Sequence, residues 1–265
     1  MPIKIDLRFG DCIDLMSDIK NESIDLIFAD LPYGTTNCKW DSLIDLPQLW
    51  NQYKRIIKPN GAILLFAQTP FDKVLGCSNL PWLRYEWIWE KPHATGHFNV
   101  SQMPLKAHEN ILVFYKNVPT YNAQKTQGHK PANKFTKTIE IQNKTEVYNR
   151  AKSNVSGGGN TDRYPRSVQV FSSDKQKTKL KGTKHSTQKP LALCEYFIET
   201  YSNENELVLD NVMGSGTTGV ACIEKKRNFI GMEKFKDIFD DAKNRIKNTI
   251  EENQNKNNFK LTINE

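Results

Sequence analysis

Apolar residues in this chain cluster in short runs that stop at turn-forming residues. Ile24 to Phe28 is apolar except for Asp25 and stops at Ala29-Asp30-Leu31-Pro32. Pro32 and Gly34 force a turn there, so the run predicts a buried strand with a turn at its carboxyl end. Leu49 to Ile57 has the spacing of an amphipathic helix, Lys58-Pro59-Asn60-Gly61 predicts a turn, and Ala62 to Ala67 predicts a second strand. Strand, helix, strand is a parallel unit. Further strands are predicted at Tyr85 to Trp89, where Trp87 and Trp89 alternate toward a core, and at Asn110 to Phe114.

The pattern then breaks. From about Lys116 to Lys184 the chain is rich in Lys, Asn, Thr, Ser and Gln, contains Gly157-Gly158-Gly159, and has only short apolar stretches such as Val168 to Phe171. Such a stretch inside an α/β core reads as a functional insertion or a mobile loop. Regular patterning resumes after Pro190, with a helix over Leu191 to Tyr201, a strand over Leu207 to Leu209, a helix over Thr217 to Lys225, and a strand over Phe229 to Met232 that ends at Glu233. The Asn- and Lys-rich residues after Ile250 read as a frayed tail.

Charge sharpens this division. Lys116 to Lys189 holds 16 Lys and Arg against 4 Asp and Glu, a surplus of 12 against a whole-chain charge of +7, which leaves −5 for the rest. A basic insert on a mildly acidic body is either a solvated face or the footprint of a polyanion partner. The chain has no apolar run near the roughly 18 residues that span a bilayer, and Met1-Pro2-Ile3-Lys4-Ile5-Asp6 lacks the apolar core of a signal peptide. A cytoplasmic location without membrane contact is expected. Cys12, Cys38, Cys77, Cys194 and Cys222 are odd in number and never paired as C-x-x-C, and His93, His97, His108, His129 and His185 lack ligand spacing. Reduced thiols and no metal site are expected.

Two strand ends carry the candidate chemistry. At the second, Asp210-Asn211-Val212-Met213-Gly214-Ser215-Gly216-Thr217-Thr218, the glycines allow a tight turn and close backbone approach to a ligand, and the threonines open a helix. The turn lacks the Lys of a P-loop. Glu233, about twenty residues on at the next strand end, suits ribose hydroxyls, or is a surface carboxylate beside Lys234 and Lys236. At the first, Asp30-Leu31-Pro32-Tyr33, a carboxylate and the Leu31 carbonyl can accept the two N–H bonds of a conjugated amine. Pro32 stiffens the turn and Tyr33 offers a flat face. An ordinary strand-ending turn is the alternative. Phe98 and Asn99 lie in the loop beyond Trp89, and His108-Glu109-Asn110 either supports the site or caps a strand.

With Gly10-Asp11-Cys12 and His185-Ser186-Thr187-Gln188-Lys189-Pro190, these segments resemble the DNA amino-methyltransferases that act on adenine N6 or cytosine N4, in the permuted β group where the D-P-P-Y-type motif precedes the F-x-G-x-G-type motif. The resemblance implies an α/β, Rossmann-like fold with a mixed, mostly parallel sheet. It divides the chain into a catalytic half (1–115), a basic target-recognition insertion (116–184), a cofactor-binding half (185–250) and a tail (251–265). It further implies S-adenosylmethionine as cofactor and double-stranded DNA as partner, with relatives that are often homodimers and can accompany a restriction enzyme. Asp30, Leu31, Pro32 and Tyr33 would then be catalytic. Asp210, Gly214 and Gly216, with Thr217 and Thr218 and with Asp30 nearby, would line the methionine and sulfonium portion of the cofactor, and Glu233 its ribose. Asp11 and Cys12 would meet its adenine, and His185, Thr187 and Lys189 its carboxylate. Asp at the first motif position resembles adenine-N6 enzymes, and direct transfer to a flipped base is implied. Leu31 stands in for the first proline of the motif, and Asn211 and Val212 for the usual Pro-Phe, which removes an aromatic contact to the cofactor. Cytosine N4, an RNA base or protein amide, or an inactive DNA-binding module are the competing readings.

Overall fold

The computed structural model describes residues 2–34, 41–141, 151–172, 188–255 and 257–265. The strands are β1 (Ile3–Phe9), β2 (Ile24–Ala29), β3 (Ile57–Ala67), β4 (Leu83–Thr95), β5 (Lys106–Phe114), β6 (Phe135–Ile141), β7 (Ala151–Gly157), β8 (Val168–Val170), β9 (Leu207–Asp210), β10 (Asn228–Glu233) and β11 (Phe259–Asn264). The helices are α1 (Cys12–Ser17), α2 (Leu46–Ile56), α3 (Phe71–Ser78), α4 (Leu191–Tyr201), α5 (Thr217–Glu224) and α6 (Lys236–Asn253).

Two compact units emerge, Met1–Asn122 with Ser167–Glu265, and Ala123–Arg166. In the first, the strands form one sheet in the order β11-β1-β10-β9-β2-β3-β5-β4-β8. Its pairs are parallel except β3 with β5 and β4 with β5, so the sheet is mixed and mostly parallel, as the resemblance implied. Period-2 alternation sends Leu26 and Phe28 of β2, and Leu64 and Phe66 of β3, into a core shared with α4, α5 and α6. Ile27 and Ala29, with Ile63 and Leu65, face the opposite core under α1, α2 and α3. A strand covered on both faces must be apolar at nearly every position, which is why these runs are continuous.

The predicted Lys58–Gly61 turn is instead an irregularity inside β3: the register jumps from Ile24 against Ile57 to Leu26 against Ala62. The expected frayed tail is a correction too. α6 runs to Asn253, and Phe259–Asn264 pairs in parallel with β1. Alternate residues Phe259, Leu261 and Ile263 pack on the core, a period-2 signal hidden among Asn and Lys. The second unit falls within the expected insertion and contains the antiparallel β6–β7 pair and a bridge between Thr126 and Arg163. No helix among the described residues is long and apolar enough to cross a membrane.

Candidate active site

β2 and β9 are neighbours, with Leu26 against Val208 and Ile27 against Leu209. The two turns, some 180 residues apart in sequence, therefore leave the same edge of the sheet side by side. Carboxyl ends of adjacent parallel strands are where open α/β sheets bind ligands.

After β2, the Tyr33 hydroxyl donates to Asp30 Oδ1 at 2.7 Å. The Tyr33 ring stacks on Phe71, centroids 5.3 Å apart and planes at 28°. Asp41 Oδ1 accepts the backbone N–H groups of Tyr33 (2.7 Å) and Gly34 (2.8 Å), which fixes the turn. Burial, followed by the nearby carboxylates of Asp30 and Glu109, pushes the Tyr33 phenol well above its ordinary range, so it remains a neutral donor.

After β9, Asp210 is buried. Its Oδ2 accepts from Thr218 Oγ1 at 2.7 Å and its Oδ1 from the Val212 N–H at 3.1 Å. Gly214 (φ +49°) and Gly216 (φ +74°) both need the left-handed region. They do different things with it. A Cβ on Gly214 would meet only the Val212 carbonyl oxygen at 3.9 Å, leaving open space for a ligand, whereas one on Gly216 would press on Ile246 Cδ1 at 3.1 Å and Ala242 Cβ at 3.2 Å. Gly216, expected at the cofactor, instead lets α6 pack against the turn. Glu233 is buried and accepts N–H bonds from Gly214 (3.2 Å), Lys234 (2.9 Å) and Phe235 (3.0 Å), tying the glycine turn to the end of β10. Arg245 of α6 braces the same turn, donating to the Ser215 carbonyl at 3.0 Å and to Thr217 Oγ1 at 2.9 Å. Sequence reading did not find Arg245, because its place in α6 has no local signal.

Lys189, expected at the cofactor's carboxylate, is held by two carboxylates: its Nζ lies 2.7 Å from Asp30 Oδ2 and 2.9 Å from Glu109 Oε2. Glu109 also pairs with Lys91. Burial works to lower the Lys189 ammonium, but Asp30 and Glu109 outweigh it and hold it above its ordinary range. Burial likewise opposes ionisation of Glu109, and Lys189 and Lys91 overcome it. Asp11 caps α1, accepting from Ile13 N–H at 2.9 Å, and Cys12 is the buried first residue of that helix. His185 and Thr187 lie outside the described residues.

A cavity of about 1000 Å³ joins these parts. Its walls include Asp11, Cys12, Asp30 to Tyr33, Lys189, Asp210, Gly214, Thr217, Thr218 and Glu233, while Gly216 is not among them. On the far side they run along β4 from Trp89 to Thr95. Phe98, just beyond, projects fully into solvent and does not line the cavity. Burial pushes Asp210 up to about 7, against the Thr218 and Val212 hydrogen bonds, and raises Glu233 against three backbone N–H groups. Carboxylates held this way favour a ligand that carries positive charge.

The family model described as DNA methylase matches residues 24–244. This chain belongs to that family. The methylase is 30% identical over 271 residues to the type II methyltransferase M.HinfI of Haemophilus influenzae, covering 90% of this chain and 67% of the relative. It is 29% identical over 245 residues to the DNA adenine methyltransferase YhdJ of Escherichia coli (strain K12), covering 84% and 76%. Among solved structures, the M1.HpyAVI–SAM complex matches with a TM-score of 0.59 at 26% identity, covering 91% of this chain and 98% of that one. The cytosine-N4-specific PvuII DNA methyltransferase matches with a TM-score of 0.66 at 15% identity, covering 99% and 96%, a likeness of fold alone. The fold of the methylase is that of the S-adenosylmethionine-dependent DNA methyltransferases, and S-adenosylmethionine is its cofactor. The open face of Gly214 and the buried Asp210 and Glu233 fit a cationic nucleoside of that kind.

Proposed function

We propose that the methylase transfers a methyl group to the exocyclic N6 amine of adenine in duplex DNA. The observation that carries this reading is Asp30, an acceptor carboxylate at the cavity wall whose Oδ1 already receives a hydroxyl donor from a stacked tyrosine. Bound S-adenosylmethionine supplies an electrophilic methyl on its sulfonium. The chain supplies the rest. An exocyclic amine is conjugated with its ring and weakly nucleophilic. Asp30 Oδ1 accepts one of its N–H bonds in place of the Tyr33 hydroxyl, and the Leu31 carbonyl accepts the other, which frees the lone pair. Asp30 is then the first acceptor for the proton that the methylated nitrogen sheds. The Phe71-supported Tyr33 ring provides the face on which an extruded base stacks. On the cofactor side, Gly214 gives close backbone approach, Asp210 and Glu233 face the positive charge and the ribose, and Asp11 with Cys12 borders the adenine.

Adenine is favoured over cytosine by the Asp at the first motif position, and the similarity to an adenine methyltransferase supports it. The duplex is met by the basic segment 116–184, as target-recognition insertion, and by the stretch from Lys91 to His108. That stretch contains no acidic residue and exposes Phe98, Val100, Met103 and Leu105 beyond the cavity wall. The deciding test is incorporation of labelled methyl from S-adenosylmethionine into mixed-sequence duplex DNA, followed by nucleoside analysis. N6-methyladenine is the expected product. N4-methylcytosine would keep the mechanism and overturn the base, and incorporation only into RNA or protein would overturn the substrate.

A further inference from the structure

We propose that Lys189 is a positioning residue for Asp30 and not a ligand of the cofactor's carboxylate, and that Glu109 and Lys91 complete it as a buried chain of alternating charge. This rests on the reading of Asp30 as the amine acceptor.

The geometry of the ammonium argues for it. A lysine ammonium has three donor directions. The Nζ pairs with Asp30 Oδ2 at 2.7 Å and with Glu109 Oε2 at 2.9 Å, and stands over the Phe66 ring at 4.8 Å from its centroid. Two carboxylates and an aromatic face surround the ammonium, so a further anion would have to displace one of them. The side chains are nearly sealed from solvent, at 12% exposure for Lys189 and 7% for Glu109. Release of Lys189 would leave the nearly sealed Glu109 with Lys91 alone and take from Asp30, 34% exposed, its cationic partner.

The chain of charges also follows the strands. Asp30 leaves β2, Phe66 ends the neighbouring β3 beneath Lys189, Glu109 stands on β5 and Lys91 on β4, in the same order as the sheet. Lys91 takes the other Glu109 oxygen and rests over Trp89 at 5.0 Å. Four charges on four segments thus alternate in sign and cancel. The consequence falls on Asp30. With Oδ2 anchored by Lys189, its carboxylate cannot rotate freely and Oδ1 is the oxygen presented to the amine, the position the Tyr33 hydroxyl now occupies. Lys189 touches neither the amine nor the methyl; it acts through Asp30.

The test separates this role from cofactor binding and from simple stability. Lys189→Met, Lys189→Arg and the double variant Lys189→Met with Glu109→Gln are compared with the wild type. The readouts are calorimetric affinity for S-adenosylmethionine, single-turnover methyl transfer to DNA at saturating cofactor and DNA, and thermal midpoint. Lys189→Met is expected to slow single turnover about 100-fold, as loss of a fixed geometry does, while affinity for the cofactor stays within about two-fold. Lys189→Arg recovers part of the rate. The double variant stays slow, because Asp30 still lacks its anchor whatever the thermal midpoint. A Lys189→Met enzyme with unchanged saturated rate and about ten-fold weaker cofactor binding would overturn the inference and return Lys189 to the carboxylate. A double variant that recovers rate together with stability would also overturn it. Both outcomes leave the Asp30 reading intact, whereas a wild type that methylates no nucleobase overturns that reading and this inference with it.

Discussion

Ile27, three residues before Asp30, lies in parallel register with Leu209, the residue before Asp210. That pairing brings the Asp30 and Asp210 carboxylates to one cavity, close enough for Asp30 to help raise Asp210. In the proposed reaction, the substrate side and the donor side are the ends of two adjacent strands.

Removing the acceptor should separate chemistry from cofactor binding. Asp30→Ala is expected to lower kcat about 10²–10⁴-fold, the range for loss of a positioned proton acceptor, with cofactor affinity largely kept. Steady-state kinetics beside calorimetry reads both. Retained activity would remove Asp30 from the reaction.

The two glycines of the turn should fail in different ways. Each forces Ala into the left-handed region at a cost of about 1–2 kcal/mol, or a thermal midpoint lower by ~2–4 °C per kcal/mol. Gly214→Ala adds a methyl on the open side and should weaken S-adenosylmethionine binding beyond that loss. Gly216→Ala crowds Ile246 and Ala242 and should cost more stability and less affinity. Equal effects on affinity would contradict the assignment.

Asp210 gives a pH dependence of definite sign. Burial first, with Asp30 and Glu233 adding, holds it at about 7 against its two hydrogen bonds, above the unfolded value of about 3.9. Between those limits the folded chain binds the extra proton, so this residue's contribution to stability falls as pH rises from about 4 to about 7. A cationic ligand prefers the ionised form, so cofactor affinity should rise between about pH 6 and pH 8, and Asp210→Asn should flatten that slope. Calorimetry across the range checks it; a flat wild-type profile would show that Asp210 does not face the positive charge.

Phe98 offers a handle on the DNA side. Its ring is fully exposed, three residues past the cavity-lining Thr95. Phe98→Ala should weaken duplex DNA binding about ten-fold, within the ~1–3 kcal/mol typical of one base–aromatic contact, and leave cofactor affinity and thermal midpoint unchanged. Fluorescence anisotropy with labelled duplex measures it, and unchanged binding would place the DNA elsewhere.

The last strand should matter to the whole fold. Deleting 259–265 removes β11 from β1, uncovers part of the core at Phe259, Leu261 and Ile263, and breaks the Glu265 pairs with Lys236 and Lys243. A loss on the order of 3 kcal/mol is expected, with aggregation through the bared β1 edge. Thermal melts and light scattering test this; an unchanged melt would mean the segment is dispensable.

The sequence by itself determined the parallel α/β core, because strands buried on both faces must be apolar throughout, and Ile24–Ala29, Leu207–Asp210 and Asn228–Glu233 each end at a residue that marks a turn. It also determined the two motifs, because a planar amine needs an acceptor carboxylate on a stiff turn and a nucleoside cofactor needs a bare backbone. Only the tertiary structure decided which glycine faces the open cavity. Gly214 and Gly216 have the same conformation and differ in what lies opposite, an open cavity for one and α6 for the other. It alone placed Lys189 between Asp30 and Glu109, which come from segments about 160 and 80 residues away, and set Arg245 of α6 behind the glycine turn. Periodicity reports which face of an element is buried, but the partner of a charge is chosen by strand order across the sheet, and no local pattern encodes that order.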